Sequence, residues 1–465
     1  LKSILQSKRA TMRLILVILV LLLALFAAWP AKAAVAVDGE VASRVAAGEN
    51  VRILAFLELS EPEARALDDR AIQARIDGLL AVAKQRGGDL GIRVERRFAS
   101  VPAFAATVDA GGLAALADGA EPLRIGPDAG GTGGLTLSLP LATITAVQAT
   151  GLSGAGRKIA LIDSGIRRDH QSFSGRIVGE ACFCSTNCCP NGQSTQFGAG
   201  AGADDHGHGT NVAGISAGGS GVVGVPAGAA PLASLVVVKV LNQNNEFCCS
   251  SDIVAAMDWV RTNHPDSAVA NMSLGTSARF AGNCDSATAF TQALATAVNN
   301  LRSTGTLATV SSGNNGTSID MSAPACVAQA VSVGAVYKAN VGQQTFGVVC
   351  TDATTAADRV TCFSNLSTTT DLLAPGAPIT AAGFTSATAT STLSGTSMAA
   401  PTVAGCIALL KEAVPAATPA TIQAALIAAP TRLLRAPMVQ DYPRLDCLDA
   451  LQRLRGLFSN GFEPV

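Results

Sequence analysis

Four short apolar runs, each stopping at a polar turn, limit what this chain can fold into. They are Lys158–Asp163, Ser234–Val240, Ala268–Leu274 and Leu307–Ser312. A run of that length without polar alternation reads as a strand covered on both faces. Helical patterns at Ser251–Asn263 and Ser286–Arg302 separate the later runs. Strands alternating with helices predict an α/β fold, a doubly wound and mostly parallel sheet with helices on both sides. Such sheets bind ligands beyond the carboxyl ends of their strands. The residues just after the apolar runs are therefore where chemistry is expected.

Charge and cysteine divide the chain before any motif is read. Residues 35–134 hold 11 basic and 15 acidic side chains, whereas the much longer stretch 135–465 holds only 17 and 19. The change falls at Asp128-Ala129-Gly130-Gly131-Thr132-Gly133-Gly134, which has linker composition. All 12 cysteines lie between Cys182 and Cys447. Residues 35–134 read β-α-β-β-α-β: strand Val51–Leu59, helix Glu61–Gln85, strands within Ile92–Asp109, helix Leu113–Ala117 and strand Pro122–Ile125. That is a small α+β, ferredoxin-like sandwich. Formal net charge is −1, so nothing marks a nucleic-acid partner. One run alone is apolar enough to enter a bilayer, from Arg13 to Pro30. Lys2, Lys8, Arg9 and Arg13 precede it and Ala31-Lys32-Ala33 follows. This pattern reads as a signal peptide, residues 1–33, and implies a secreted protein with no lasting membrane insertion.

Four residues carry the chemistry. Asp163 ends the first run, before Ser164-Gly165. His208 lies in Gly207-His208-Gly209-Thr210-Asn211-Val212-Ala213-Gly214. Ser397 lies in Gly395-Thr396-Ser397-Met398-Ala399-Ala400-Pro401, at the start of a helix continuing through Val403–Leu410. Asn314 follows the fourth run through Gly313. Singly these are a turn former, a cap or core histidine, an N-cap serine and a turn asparagine. Together they supply an acyl-transfer site. Ser397 is the nucleophile, His208 moves its proton, Asp163 orients the imidazole, and the Asn314 amide with the Ser397 N–H holds the oxyanion.

These segments resemble the three signatures of subtilisin-like serine proteases, in the order Asp, His, Ser. Asn271-Met272-Ser273-Leu274-Gly275 and Ser312-Gly313-Asn314 are similar to that family's substrate-pairing strand and oxyanion asparagine. The similarity runs from about Leu141 to Leu451. It implies a serine endopeptidase catalytic domain over 135–455, a short tail over 456–465, and peptide substrates paired along Ser273, Leu274 and Gly275. Ser311, Ser312 and Gly313 would frame the pocket before the scissile bond. No acidic residue stands there, so apolar or aromatic residues are expected in it. Residues 34–134 resemble the family's inhibitory propeptide in size, pattern and position. The chain then reads as a self-processing zymogen, cut near residues 128–140 and acting as a monomer. The alternative is a catalytically silent binding module of the same fold.

Two departures stand out. Asn211 and Thr402 replace histidines frequent in the family. Ser216–Pro226 holds no acidic residue, so a calcium loop is not assigned there; structural calcium remains unassigned, the chemistry needs no cofactor, and no metal ligands are proposed. Gly214-Ile215-Ser216-Ala217-Gly218 mimics the nucleophile elbow of α/β-hydrolases, but it falls in the helix begun by His208 and not after a strand. Cys182, Cys184, Cys188, Cys189, Cys248 and Cys249 lack zinc-hook spacing. The expectation is that the two clusters staple two loops together by disulfides. Cys350 could close a short loop with Cys362, Cys284 could meet Cys326, and Cys406 is either free or bonded to Cys447; the sequence alone does not fix the connectivity.

Overall fold

The computed structural model describes residues 35–60, 62–63, 69–87, 91–97, 103–127, 135–435 and 440–459. The leader reading and the Gly-rich linker lie outside these residues. The chain divides into two compact units at Gly131/Thr132.

The first unit is an α+β sandwich. Its strands are β1 (Ala36–Val37), β2 (Val51–Leu57), β3 (Ile92–Arg97), β4 (Ala103–Val108) and β5 (Leu123–Pro127), in the order β1-β5-β2-β4-β3. Its helices are α1 (Gly39–Ala46), α2 (Asp69–Gly87) and α3 (Ala110–Ala117). Strand β1 and helix α1 are additions to the sequence reading. The Asp109 carboxylate starts α3 by accepting from Gly112 N at 2.8 Å, which places that helix three residues earlier than its apolar stripe suggested. Val51, Ile53, Leu80, Phe104, Leu116 and Ile125 are each at most 2% exposed and form this unit's own core.

The second unit opens with α4 (Leu135–Leu141) and α5 (Ile144–Gln148). Its sheet has eight strands: β6 (Lys158–Asp163), β7 (Ile177–Phe183), β8 (Thr195–Phe197), β9 (Ser234–Lys239), β10 (Ser267–Met272), β11 (Leu307–Ser311), β12 (Val331–Tyr337) and β13 (Leu372–Ala377). They lie in the order β13-β12-β11-β10-β6-β9-β7-β8, all parallel except β8 against β7. All four apolar runs became central strands. The chain winds from β6 to one side and then crosses to β10, so the switch of direction falls beside β6.

Each strand sends alternate residues to opposite faces. Ile159, Leu161, Leu235, Val237, Val269 and Leu307 meet α6 (His208–Ala217) and α9 (Thr396–Ala413). Ala160, Ile162, Val236, Val238, Ala270 and Val310 meet α7 (Ser250–Asn263) and α8 (Ala289–Ser303). Helix α8 starts later than its pattern suggested, because Thr288 and Thr291 form a reciprocal capping box. Helix α9 is buried nearly all round; Val403, Ile407, Leu409 and Leu410 are 0% exposed, each contributing about 1.5–3 kcal/mol of burial. Helices α10 (Pro419–Ile427) and α11 (Cys447–Ser459) follow it. Residues 456–459, read from sequence as tail, thus belong to α11.

The six disulfides are Cys182–Cys189, Cys184–Cys188, Cys248–Cys249, Cys284–Cys326, Cys350–Cys362 and Cys406–Cys447. The expected staple between the first two clusters is not formed; each cluster closes on itself. The loops do meet, but by hydrogen bonds: Ser185 N and Oγ donate to the Asp252 carboxylate at 2.9 and 2.7 Å. Cys406 is not free but paired with Cys447, tying α9 to α11.

Candidate active site

Asp163 is the last residue of β6, and the alternation that buries Ile159 and Leu161 under α6 aims Asp163 the same way. The next residues turn sharply, with Gly165 at φ +110°. Helix α6 then packs its first turn directly on that corner. A Cβ on Gly209 would stand 2.1 Å from the Gly165 carbonyl oxygen, so only glycine permits the approach. The contact brings His208 Nδ1 to 2.7 Å from Asp163 Oδ1. Asp163 is 1% and His208 8% exposed. Nδ1–H donates to the carboxylate, which leaves Nε2 of the neutral ring as an acceptor. Burial pushes the His208 pKa down, but the Asp163 charge and hydrogen bond, with the nearby Asp204 charge, outweigh it and hold it above its ordinary value.

Asp204 was not singled out by the sequence reading. Its Oδ1 accepts from His206 N, Gly207 N and Ser164 Oγ at 3.0, 2.9 and 2.8 Å. Its Oδ2 accepts from Thr210 N at 3.1 Å and from the Thr210 hydroxyl. Ser164 Oγ in turn accepts from Gly209 N at 2.9 Å. One carboxylate thus caps α6 and ties it to the Asp163 corner. Burial raises its pKa, yet the bonds from Gly207, Thr210, His206 and Ser164 prevail and the net shift is downward. An acid four residues before His208 was the available signal. Lys239, 0% exposed, braces the corner from β9, donating to Ser164 O, Leu241 O and Asp205 Oδ1 at 2.9, 2.7 and 2.6 Å.

Ser397 is the second residue of α9, after Gly395 as N-cap. Its N–H belongs to the first turn and has no acceptor within the helix. Pro401, four residues on, has no N–H to offer the Ser397 carbonyl. Ser273 takes that role: its hydroxyl donates to Ser397 O at 2.8 Å. A buried polar ladder orients Ser273, since Asn271 Nδ2 donates to Ser273 Oγ at 3.0 Å and Thr309 Oγ1 to Asn271 Oδ1 at 3.0 Å. The Ser397 hydroxyl donates to Ser273 O at 3.3 Å. No hydrogen bond joins it to His208 among the described residues; unliganded sites commonly hold that bond open until substrate arrives.

Asn314 stands after β11. Its Oδ1 accepts from Thr396 N and Thr396 Oγ1 at 2.8 and 2.9 Å. With the oxygen committed, the Nδ2 amide is the free end. A cleft of about 420 Å³ gathers Ser273, Leu274, Gly275, Ser311, Gly313, Asn314 and Ser397. Ser312, expected in that lining, is not part of it; it is fully buried and its hydroxyl donates to Asn365 O at 2.7 Å. The decoy Ser216 lies within α6, also fully buried, and back-bonds to Val212 O and Ala213 O. Among the described residues, the one close group of three metal-type side chains is Cys248, Cys249 and Asp252, with its sulfurs joined. No helix among them is long and apolar enough to cross a membrane.

Comparison with known proteins gives the same reading of the second unit. The subtilase family pattern matches residues 154–442. The chain is similar to an extracellular serine proteinase of Thermus sp. (strain Rt41A), 37% identical over 275 residues, 59% of this chain and 55% of that protein. It is similar to Subtilisin BL of Lederbergia lenta, 36% identical over 264 residues, 56% of this chain and 78% of that protein. Among solved structures, one of proteases from Pseudoalteromonas arctica overlays with TM-score 0.53 at 25% identity, covering 68% of this chain and 94% of that one. The chain spans about half the length of the Thermus relative, 55%. With the family pattern spread across more than half of its residues and the matching Asp, His, Asn and Ser segments meeting at one end of one parallel sheet, the chain belongs to the subtilase family.

Proposed function

We propose that this chain is a secreted serine endopeptidase that hydrolyses peptide bonds through an acyl-enzyme on Ser397. The observation that carries the reading is the buried Asp163–His208 pair at 2.7 Å, held on the same sheet end as the Ser397 helix. Asp163 fixes the imidazole tautomer and stabilises its cationic form. His208 Nε2 takes the Ser397 proton as the hydroxyl attacks the carbonyl, then returns it to the leaving amine. The Asn314 amide and the Ser397 N–H donate to the developing oxyanion. Ser273, Leu274 and Gly275 pair with the extended substrate backbone. The pocket at Gly275, Ser311 and Gly313 takes an apolar or aromatic side chain. Neither metal nor cofactor enters the steps.

The first unit acts as an inhibitory propeptide, removed by a cut near residues 128–140. Its freedom from cysteine and its separate core support that role. The extracellular name of the Thermus relative and the disulfides support secretion. Intact mass and N-terminal sequencing of wild type beside Ser397→Ala test the scheme. Wild type should begin near residues 128–140 while the variant keeps the first unit. Equal processing of both in isolation would overturn self-cleavage, and a wild type that cuts no peptide would favour the silent binding module.

A further inference from the structure

The segment between β9 and α7 forms one lip of the cleft and ends in Cys248-Cys249. These neighbours are bonded to each other. A disulfide stabilises a fold largely by closing a loop in the unfolded chain, and the effect shrinks with the loop. A ring of two adjacent residues closes almost nothing, whereas Cys284–Cys326 and Cys406–Cys447 span 42 and 41 residues. The bond is also reachable. Cys248 is exposed and Cys249 half-buried, while all four sulfur-bearing residues of the two long loops are 0% exposed.

Both sulfurs stand near the buried Asp252 carboxylate, Cys248 Sγ at 4.0 Å and Cys249 Sγ within 4.8 Å; they differ in exposure and in their place on the helix. Cys249 is the N-cap of the 14-residue α7, and its own side chain makes no capping hydrogen bond there. A thiolate on Cys249 would stand at the N-terminal end of that helix, which lowers a thiol's pKa. The sulfur with the better-stabilised thiolate is the better leaving group in exchange.

We propose that Cys248–Cys249 is a thiol-modification site on the lip of the cleft, taking a small monothiol. The incoming thiolate attacks the exposed Cys248 Sγ. A new S–S bond forms there, the Cys248–Cys249 bond breaks, and its electron pair leaves on Cys249, which caps α7 as a thiolate. The proton of the incoming thiol passes to solvent. One disulfide is exchanged for another, so no oxidant or reductant is consumed. The adduct projects into a pocket of about 400 Å³ walled by Phe247, Gly275, Ala278 and Phe290. Phe247, Gly275 and Thr276 line both this pocket and the cleft at Ser397. The functional consequence rests on the peptidase reading: substrates long enough to use that pocket lose affinity and short ones do not.

The first test needs no peptidase activity. The full chain carrying Ser397→Ala is incubated with glutathione, alkylated and peptide-mapped. The expected result is glutathione on Cys248, an alkylated Cys249 and the other disulfides intact. No adduct, an adduct on Cys249 or elsewhere, or Cys248 bonded to Cys184 or Cys188 in the untreated chain would overturn the proposal. In the second test, adducted wild type should show KM for a tetrapeptide anilide raised about tenfold at unchanged kcat, the scale of losing one side-chain pocket. A single-residue ester should be unaffected. The double variant Cys248→Ser, Cys249→Ser should not respond to glutathione; equal effects on both substrates, or a response in this variant, would break the link to the cleft. A wild type modified on Cys248 that cuts neither substrate refutes the peptidase reading and leaves the modification site standing.

Discussion

Replacing Asp163 by Asn removes one charge and almost no volume. The carboxylate oxygen lies 2.7 Å from His208 Nδ1. At an effective dielectric constant of about 20, a unit charge at that distance stabilises the imidazolium by about 6 kcal/mol. That stabilisation matters only once His208 has taken the Ser397 proton, so its loss falls on the barrier. About 1.4 kcal/mol per decade converts it to a fall of about 10⁴ in kcat. The asparagine can also turn its NH₂ to the ring and enforce the wrong tautomer, which acts in the same direction. The pH profile should move as well. In wild type the Asp163 and Asp204 interactions raise the His208 pKa against burial, so the acid limb of kcat/KM lies above the ordinary histidine value. With Asp163 neutral, burial gains weight and the limb moves to lower pH. Steady-state kinetics on a peptide anilide, with thermal unfolding as a control for folding, provide the assay. A loss below tenfold in a folded variant, or an unmoved acid limb, would refute the role given to Asp163.

Three further outcomes follow from the geometry. Asn314→Ala should lower kcat by about 10²–10³ with little change in KM, the range known for losing one such donor in subtilisin; an equal loss through KM would make Asn314 a ground-state binder. Cys406→Ser with Cys447→Ser opens a closure of 41 residues and should cost about 4 kcal/mol in denaturant unfolding; a cost under about 1 kcal/mol would mean that α11 stays docked without the bond. Asp204 has a depressed pKa in the folded state, so its contribution is full above its unfolded value near 3.8 and fades as pH falls through the lower folded one. Asp204→Asn should therefore destabilise the protein at neutral pH, and the gap to wild type should narrow on acidification below about pH 4; a gap constant with pH would remove the charge from the argument.

The legible parts of the fold were those written in contiguous residues. Lys158–Asp163 showed both its burial and its end, because a strand covered on two faces must be apolar until it leaves the sheet. The Asp163, His208 and Ser397 segments were legible for a related reason. Close packing at Gly209 and the helix start at Ser397 demand particular neighbours at fixed offsets. What depends on distant partners was not legible. Asp204 reads as one acid among several until Ser164 and Thr210 converge on it. Pro401 falls inside α9, and only the packed strand shows that Ser273 replaces the bond it removes. Ser312 sits beside Ser311, yet strand alternation aims its hydroxyl at Asn365. The cysteine clusters failed most plainly. Pairing depends on loop paths, and even counts allow every closure, including each cluster on itself.

A chain with the proposed activity lives in a solution of its own substrate. To be cut, a segment must leave its fold and lie extended in another copy's cleft. Helix α9 and the central strands cannot do so short of extensive unfolding, since nearly all their side chains are buried. The exposed insertions are the vulnerable places, and there the short rings fall: Cys182–Cys189 and Cys184–Cys188 knot one surface loop, and Cys350–Cys362 closes another, directly after the exposed Val348 and Val349. A loop closed within 4, 7 or 12 residues cannot be drawn straight. These bonds add less to equilibrium stability than the two long closures, but they deny the autolytic reaction its starting conformation and so would lengthen the working life of a molecule with that activity.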